Sequence, residues 1–211
     1  MRQNKLTRIG ITGGMGAGKS TVSRIFEESG LLVIDADMVS RDVLEEYPEV
    51  HDYIRKTFGD EYFLENGDLD RRKFGRRIFP DERALAQYQE VIMPFIVAEI
   101  KERFDYIRDA TDDEYAVVDA PLLFQVRDYD IYDVAVTVEM PRDIQIQRVM
   151  ERDDLSTEEV EGRLARQMSQ EEREELADYV ILNDGSVEDL QKKAEAVLAQ
   201  INARGTHGSD S

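Results

Sequence analysis

The sequence predicts an α/β fold in which a five-stranded parallel sheet is flanked by helices. Five short runs rich in Ile, Val and Leu recur along the chain, separated by segments with helical periodicity. These runs show little alternation of polar and apolar residues, which is typical of parallel strands covered on both faces. A glycine-rich phosphate-binding motif directly follows the first run, and strand–helix alternation of this kind indicates a layered α/β protein.

The predicted strands and helices alternate along much of the chain. The strands lie at residues 6–12, 31–34, 115–118, 134–138 and 179–182. A helix over 19–29 follows the first strand and stops at Gly30, a residue that often ends helices. The closing helix starts at Ser186, where Asp189 is in capping-box position.

A charged segment follows the fourth predicted strand. Ser156 and Glu159 signal a helix start, and the residues from there to Glu175 include few apolar positions. A helix with so narrow an apolar face packs shallowly, so we expect this segment to be mobile, as a lid would be.

The strand signals stop between residues 43 and 108, where apolar residues recur at helical spacing. This indicates a helical insertion between the second and third strands of one domain. The predicted organisation is a domain over 1–204, with a core of 1–42 and 114–204, a helical insertion of about 43–113, a lid of about 142–170 and a disordered tail at 205–211.

The composition limits which kinds of partner the chain is expected to bind and in which compartment it is expected to act. The 211 residues carry a formal net charge of −19 and include no cysteine. So acidic a chain repels nucleic-acid backbones and anionic membranes, so we expect neither as a partner. Neither a secretory leader nor an apolar run of membrane-spanning length is recognisable, and no obligate protein partner is indicated. We therefore expect a cytoplasmic protein, in which any anionic substrate is drawn in by a local cluster of arginines and lysines.

Residues 13–20, GGMGAGKS, match the phosphate-binding pattern G-x-x-x-x-G-K-[ST] between a predicted strand and a predicted helix. Glycines allow backbone N–H groups to surround a phosphate, and the helix N-terminus adds partial positive charge. Lys19 can reach the β- and γ-phosphates of a nucleotide, and the Ser20 hydroxyl can ligate Mg²⁺. The residues predicted to contact ATP here are Gly14, Met15, Gly16, Ala17, Gly18, Lys19, Ser20 and Thr21.

The motif alone does not identify the reaction, because kinases, GTPases, motors and transporters share it. No N-K-x-D guanine-reading motif follows a later strand, and no LSGGQ-like transporter signature is present. The small size, the helical insertion and the arginine-bearing late segment favour a kinase of nucleotides or metabolites.

Three aspartates follow predicted strands, where ligands of open parallel sheets bind. Asp35 and Asp37 follow the second strand, and their two-residue spacing in an extended chain would point both side chains the same way. Asp119 follows the third strand, in a position from which a carboxylate can hold Mg²⁺. A carboxylate must also accept the proton of the attacking hydroxyl, and neither histidine lies near a strand end. The alternative for each aspartate is an N-cap of the following helix.

Two groups of basic residues are candidates for anion binding. Arg148 and Arg152 lie four residues apart on one predicted helix, where they could neutralise transition-state charge or form ordinary surface ion pairs. A second cluster at 71–77 contains four arginines and is either an anion site or a solvated helix surface.

The sequence resembles the dephospho-coenzyme A kinase family over about residues 8–198. The motifs that carry the resemblance are IGITGGMGAGKST at 9–21, VIDAD at 33–37 with Arg41, FGDEYFLENGDLDRRKF at 58–74, APLLF at 120–124, QRVMERDDLS at 147–156, RLARQM at 163–168 and ADYVILNDGS at 177–186. The phosphate-binding motif is generic, whereas the others in this order are specific.

The resemblance implies a P-loop kinase core with a helical substrate-binding domain and a lid. The reaction would transfer the γ-phosphoryl group of ATP to the ribose 3′-hydroxyl of dephospho-CoA, the last step of coenzyme A synthesis. Asp37 would be the general base, with Asp35 second. The other implied contacts are Arg148 and Arg152 in the lid, Asn183 beside the adenine, and Arg72, Lys73, Pro121 and Leu122 on the acceptor side.

Two positions depart from the family pattern. Met93 stands where the family usually has the histidine of a His-Pro pair, and Gln125 replaces a glutamate after PLLF. Two alternatives therefore stay open: a P-loop kinase of another nucleoside or nucleotide, and a nucleotide-binding regulator with impaired catalysis.

Overall fold

A five-stranded parallel sheet with helices around it forms the centre of the fold, which confirms the predicted fold class. The structure is a computed structural model that describes residues 5–205, without the side chains of 126–128 and 205. Of the tail predicted at 205–211, Gly205 ends the last helix and residues 206–211 lie outside the described residues. The strands are β1 (Thr7–Gly13), β2 (Leu32–Asp35), β3 (Tyr115–Asp119), β4 (Val134–Glu139) and β5 (Tyr179–Leu182), and each begins and ends within one residue of its predicted bounds.

The strand order is β2-β3-β1-β4-β5, so the strand that leads into the phosphate-binding motif is central. The helices are α1 (Lys19–Glu28), α2 (Ala36–Glu46), α3 (Pro48–Phe58), α4 (Arg71–Ile78), α5 (Glu82–Ala110), α6 (Arg142–Asp153), α7 (Thr157–Leu164), α8 (Gln170–Leu176) and α9 (Val187–Gly205), with 3₁₀ turns at Asp60–Tyr62 and Leu123–Tyr129. Because β1 pairs in parallel with both β3 and β4, the ends of these three strands meet at one edge of the sheet.

The chain divides into two compact units, Met1–Ile34 with Tyr106–Ser211, and Asp35–Asp105. The first unit contains a core in which the apolar residues of the central strands pack against α1 and α9, including Ile9, Val136, Phe26 and Ala194. These side chains are 0% exposed. Burial on both faces explains why the strands read as continuous apolar runs.

The second unit is held by aromatic contacts instead of a sheet. The Phe74 ring lies edge-on to Phe58, Tyr62 and Tyr88, with ring centroids 5.2 to 5.5 Å apart. Edge-to-face pairs at this spacing are favourable beyond the area they bury. Phe74 is on α4, so these contacts fix the short basic helix that follows the turn at residues 64–70.

The charged segment after β4 is where packing departs from the prediction. It forms two helices, α7 and α8, and the second begins at a capping box of Ser169 and Glu172 that the sequence reading missed. Val160 is 0% exposed and packs with Val149 of α6. The expectation of shallow packing is therefore wrong for α7, because Val160 and Leu164 fall on one helix face and bury together.

One ion pair joins the starts of β1 and β4. Asp133 accepts hydrogen bonds from the backbone N–H and the guanidinium of Arg8 at 2.8 to 3.0 Å. Burial raises the pKa of Asp133, but the hydrogen bonds and charge of Arg8 outweigh it and hold the pKa below its ordinary value of 3.8. Because the pKa is lowered in the folded state, the stabilisation is present above pH 3.8 and is lost as the pH falls through the lower folded-state pKa.

We expect Asp133→Asn to lower the free energy of unfolding by about 1 kcal/mol at pH 7, since it weakens charge-assisted hydrogen bonds at a half-exposed site. Urea unfolding at pH 7 and in acid would measure this. The loss should shrink in acid, where the wild-type carboxylate also becomes protonated. Asp112→Asn removes the same charge from an exposed side chain and serves as the control; an equal effect from both variants would contradict the role of the pair.

Candidate active site

The phosphate-binding loop joins β1 to α1 in the conformation that its glycines allow. Gly16 and Gly18 have φ angles of 77° and 101°, in the left-handed region that disfavours side chains. Gly18 is the N-cap of α1, so the unpaired N–H groups of the first helical turn face the loop. Such a helix start attracts anions through both its N–H groups and its dipole.

Close packing also limits the space beside the first half of the loop, most strictly at Gly13, where the neighbouring atom belongs to the backbone. A Cβ on Gly13 would lie 2.4 Å from the carbonyl oxygen of Val138, the residue beside it in β4. A Cβ on Gly14 would lie 2.7 Å from Nε2 of Gln145 and 2.9 Å from Nη2 of Arg173. The loop is therefore pressed against β4 and the side chains of α6 and α8, and small residues are required for steric as well as conformational reasons.

Lys19 forms an ion pair with Asp119, the carboxylate at the end of β3. The second oxygen of Asp119 accepts a hydrogen bond of 2.6 Å from the Ser23 hydroxyl on α1. Asp119 is 8% exposed, so burial strengthens both contacts. Two residues predicted to act on phosphate and metal are thus brought together, and the carboxylate predicted to hold Mg²⁺ is also the counterion of the loop lysine.

The remaining predicted metal ligand, Ser20, is exposed in the first turn of α1. Among the side chains that the structure describes (5–125 and 129–204), no cluster of three or more His, Asp or Glu is arranged to hold a metal ion. One hydroxyl and one carboxylate fit Mg²⁺ in the manner of nucleotide sites, where phosphates and waters supply most of the ligands. Thr21, the last predicted nucleotide contact, donates its N–H to the carbonyl of Gly18 at 3.0 Å.

Asn183 lies against the loop. Its side chain is 5% exposed and donates from Nδ2 to the carbonyl of Ala17 at 2.9 Å. Its backbone N–H donates to the carbonyl of Glu139 at 2.7 Å, which holds the residue at the end of β5. The predicted adenine contact stays a prediction, while the structure assigns the side-chain amide a bond to the loop backbone.

Two glutamines that the sequence reading missed hold the residue in the middle of the loop. Gln145 on α6 donates from Nε2 to the carbonyl of Met15 at 2.7 Å, and Gln167 accepts from the N–H of Met15 at 3.1 Å. Gln167 falls within the RLARQM motif, but neither glutamine has a spacing that distinguishes it from a surface residue.

A buried ion pair lies behind these contacts and was also missed. Glu139, at the end of β4, is 1% exposed and accepts two hydrogen bonds of 2.6 and 2.7 Å from Arg173 of α8. Arg173 also donates to the carbonyl of Met168. An acid at the end of a strand that is otherwise apolar except for Thr137 must be paired, so the run VAVTVE held a signal for Glu139, but nothing in the sequence identified Arg173 as the partner.

The two lid arginines differ in their surroundings. Both are exposed on α6. This helix lies against the loop, because a Cβ built on Gly16 would lie 2.7 Å from Val149 of α6. Arg152 pairs with Asp153 at 2.7 and 2.9 Å, and these hydrogen bonds hold the pKa of Asp153 below its ordinary value. The ion-pair alternative is therefore observed for Arg152. Arg148 has no such partner in the part of the chain that the structure describes.

Asp35 and Asp37 belong to the second unit and do not share an extended segment. Asp35 ends β2 and caps α2, accepting at Oδ1 from the backbone N–H groups of Asp37 and Met38 at 2.8 and 3.2 Å. Asp37 is the second residue of that helix. The expectation that both side chains point the same way along an extended chain is therefore wrong, because the cap begins the helix between them.

The predicted acceptor residues lie in two places. Arg72 and Lys73 are in the first turn of α4 in the second unit, where Lys73 donates to the carbonyl of Glu61 and lies 5.9 Å from the ring centre of Tyr62. Pro121 and Leu122 follow β3 in the first unit, and the Pro121 carbonyl accepts from the hydroxyl of Thr12 at 3.2 Å.

The second unit also contains a cavity of about 550 Å³. Its lining residues are Leu44, Glu45, His51, Leu64, Asp68, Leu69 and Arg71. Three leucines and four polar or charged side chains share this lining, so it can contact both polar and uncharged parts of a small molecule.

Comparison with known proteins identifies the family to which this site belongs. The family model described as dephospho-CoA kinase matches residues 7–189. The chain belongs to the dephospho-CoA kinase family. A relative from Clostridium tetani named dephospho-CoA kinase is 37% identical over 201 residues, which cover 95% of this chain and 88% of the relative.

Solved structures agree with the family. A Thermus thermophilus protein is 31% identical with a TM-score of 0.75, covering 93% of this chain and 98% of its own. A dephospho-CoA kinase from Campylobacter jejuni has a TM-score of 0.62 at 23% identity, which shows the shared fold, and the match covers 93% of this chain and 97% of that one. The predicted family, fold class and type of enzyme are thus confirmed, and the ATP-dependent kinase activity follows from membership of the dephospho-CoA kinase family.

Asn183→Asp is expected to lower the free energy of unfolding by about 2 to 3 kcal/mol, because a buried carboxylate would replace the donor facing the Ala17 carbonyl. Weaker ATP binding should accompany it, since Ala17 is part of the loop. Urea unfolding and calorimetric titration with ATP measure the two effects. Asn202→Asp, at an exposed position of α9, adds the same charge; if it were equally damaging, the loss would not come from the loop contact.

Proposed function

We propose that this chain transfers the γ-phosphoryl group of ATP to the ribose 3′-hydroxyl of dephospho-CoA, completing coenzyme A. The observation that carries the proposal is the Lys19–Asp119 pair beside a glycine loop, in a chain of the dephospho-CoA kinase family. The reaction needs a site for the donor phosphates, a base for the acceptor hydroxyl and positive charge for the transition state.

The donor half is formed by residues 14–21. Backbone N–H groups of the loop and of the first turn of α1 would bind the β-phosphate, and Lys19 would exchange Asp119 for the β- and γ-phosphates. Asp119 would then be available to Mg²⁺, directly or through water, together with the hydroxyl of Ser20. When bound, Mg²⁺ neutralises charge on the phosphates.

Positive charge is scarce on a chain of net charge −19, so local arginines matter. Arg148 would approach the phosphates from α6, and Arg152 would do so after leaving Asp153. Arginines from a closing segment also exclude water, which would otherwise accept the phosphoryl group. Asn183 would lie near the adenine through the turn after β5, with its amide held by the loop.

The acceptor half is proposed to involve Asp37 as the general base. The N-cap contacts of Asp35 occupy one of its oxygens and favour Asp37 for proton transfer. Arg72, Lys73, Pro121 and Leu122 would contact dephospho-CoA, and the cavity of the second unit, with its three leucines and four polar or charged residues, would suit a part of that substrate that carries both polar and uncharged groups. Met93 and Gln125, which depart from the family pattern, are not among the residues to which this proposal gives a role.

Within residues 5–205, the structure contains no helix that is long and apolar enough to span a bilayer. We propose a cytoplasmic enzyme that acts without nucleic acid, membrane or obligate protein partner.

A panel of acceptors tests the substrate. With ATP and Mg²⁺, coupled detection of ADP should show turnover with dephospho-CoA well above that with water, nucleosides or nucleoside monophosphates, and EDTA should abolish it. Turnover of a nucleoside monophosphate without turnover of dephospho-CoA would favour another P-loop kinase. A wild-type chain that binds ATP but turns over none of these acceptors would favour the regulator.

A matched pair of variants tests the base. Asp37→Asn should lower kcat by roughly 10²- to 10⁴-fold with little change in the Kd of ATP, since it removes only the proton acceptor. Asp35→Asn keeps an N-cap side chain that accepts the same hydrogen bonds, so its kcat should stay within about 10-fold of wild type. The reverse order of the two effects would assign the base to Asp35.

A further inference from the structure

The middle of the phosphate-binding loop is held by side chains at two successive peptide groups. In the Gly14–Met15 peptide, the N–H donates to Gln167 at 3.1 Å and the carbonyl accepts from the N–H of Ala17 at 3.1 Å. In the Met15–Gly16 peptide, the carbonyl accepts from Gln145 at 2.7 Å. The directions of the two glutamine bonds are fixed, because a backbone N–H can only donate and a carbonyl can only accept.

Peptide planarity transmits the second contact to the opposite side of the loop. The carbonyl of Met15 and the N–H of Gly16 belong to one trans peptide and point in opposite directions. By binding the carbonyl, Gln145 directs the Gly16 N–H away from itself. In the described part of the chain, this N–H donates to no protein acceptor, so it is available to a phosphate oxygen.

The loop cannot fix this orientation alone. Glycine adopts positive and negative φ with similar ease, so the peptide between Met15 and Gly16 can rotate at little cost. The rotated peptide would present a carbonyl oxygen, which repels phosphate, in place of an N–H. An external donor to the Met15 carbonyl favours the orientation that binds an anion.

The two glutamines are themselves held to different degrees. Gln145 is 6% exposed, so its amide is confined between α6 and the loop, where a bond to a carbonyl is strong. Gln167 is exposed, although its backbone is held: its N–H donates to the carbonyl of Leu164 at 3.1 Å, and the carbonyl of the next residue, Met168, accepts from the buried Arg173. Gln145 should therefore have the larger effect.

We propose that Gln145 is a positioning residue that keeps the Gly16 N–H directed at the nucleotide phosphates, with Gln167 supporting the preceding peptide. Neither side chain reacts or needs to contact ATP. The inference rests on the nucleotide half of the proposed function and does not depend on the identity of the acceptor.

The opposite directions of the two hydrogen bonds provide the test. Gln→Glu at 167 keeps an oxygen that accepts from Met15, whereas Gln→Glu at 145 replaces the donor with a carboxylate facing a carbonyl. Titration calorimetry with ATP at pH 8.5, without acceptor, should show a Kd raised by about 10-fold or more for Gln145→Glu and by less than about 3-fold for Gln167→Glu. Gln147→Glu adds the same charge to the exposed face of α6, where it loses only the surface hydrogen bond of 2.9 Å to Glu151, and its Kd for ATP should resemble that of the wild type.

Gln145→Leu keeps the test decisive if a buried carboxylate prevents folding, because leucine has a similar volume and carries no amide to donate to the Met15 carbonyl. Its Kd for ATP should also rise by about 10-fold, with kcat recovered at saturating ATP, as a positioning role requires. An unchanged Kd in Gln145→Leu, or equal increases for Gln145→Glu and Gln167→Glu, would overturn the proposal. A chain that binds ATP in this pattern but does not phosphorylate dephospho-CoA would refute the proposed substrate and leave this inference standing.

Discussion

A loop rich in glycine has almost no shape of its own, and this constraint organises the structure around it. Each glycine removes a side chain that would block the phosphates, and each also removes a preference for one backbone conformation. Residues outside the loop supply that conformational preference instead. Val138 and Val149 limit the space beside the glycines. Gln145, Gln167 and Asn183 form hydrogen bonds with peptide groups of the loop. The central place of β1 between β3 and β4 makes these neighbours available. The conformation of the phosphate site therefore depends on residues from several elements at this edge of the sheet.

The charged groups around the phosphate site are likewise held by neighbouring residues. The chain is strongly acidic, so an anionic nucleotide meets an unfavourable field everywhere except where basic groups gather. In the described part of the structure, two of those groups are paired with acids, Lys19 with Asp119 and Arg152 with Asp153, whereas Arg148 is not. Each pair would keep its cation in place for exchange with a phosphate, and would release an acid that can serve another purpose. At Asp119 that second purpose is proposed to be the metal.

Local patterns predicted the fold well and the site only in part. The strands could be located because burial on both faces leaves apolar runs, and the loop because its chemistry fixes residue types at short spacing. Gln145, Gln167 and Arg173 could not be found, because they reach the loop from 130 or more residues away and carry no local signal. Asp35 and Asp37 were located correctly but given the wrong geometry, because an aspartate after a strand suits an N-cap as well as a catalytic role. Two apolar residues on α7 were enough to pack this helix against α6, although the segment's composition had predicted shallow packing.

The buried pair of Glu139 and Arg173 has a consequence for how this chain can diverge. Loss of either partner alone leaves an unpaired charge in the interior, whereas replacing both with apolar residues of similar volume removes the buried charges altogether. Substitutions at these two positions should therefore occur together during evolution, although the positions are 34 residues apart. Among homologues, the residue at one position should predict the residue at the other. Sequences with an exchanged or wholly apolar pair should be far commoner than sequences in which only one of the two residues has changed.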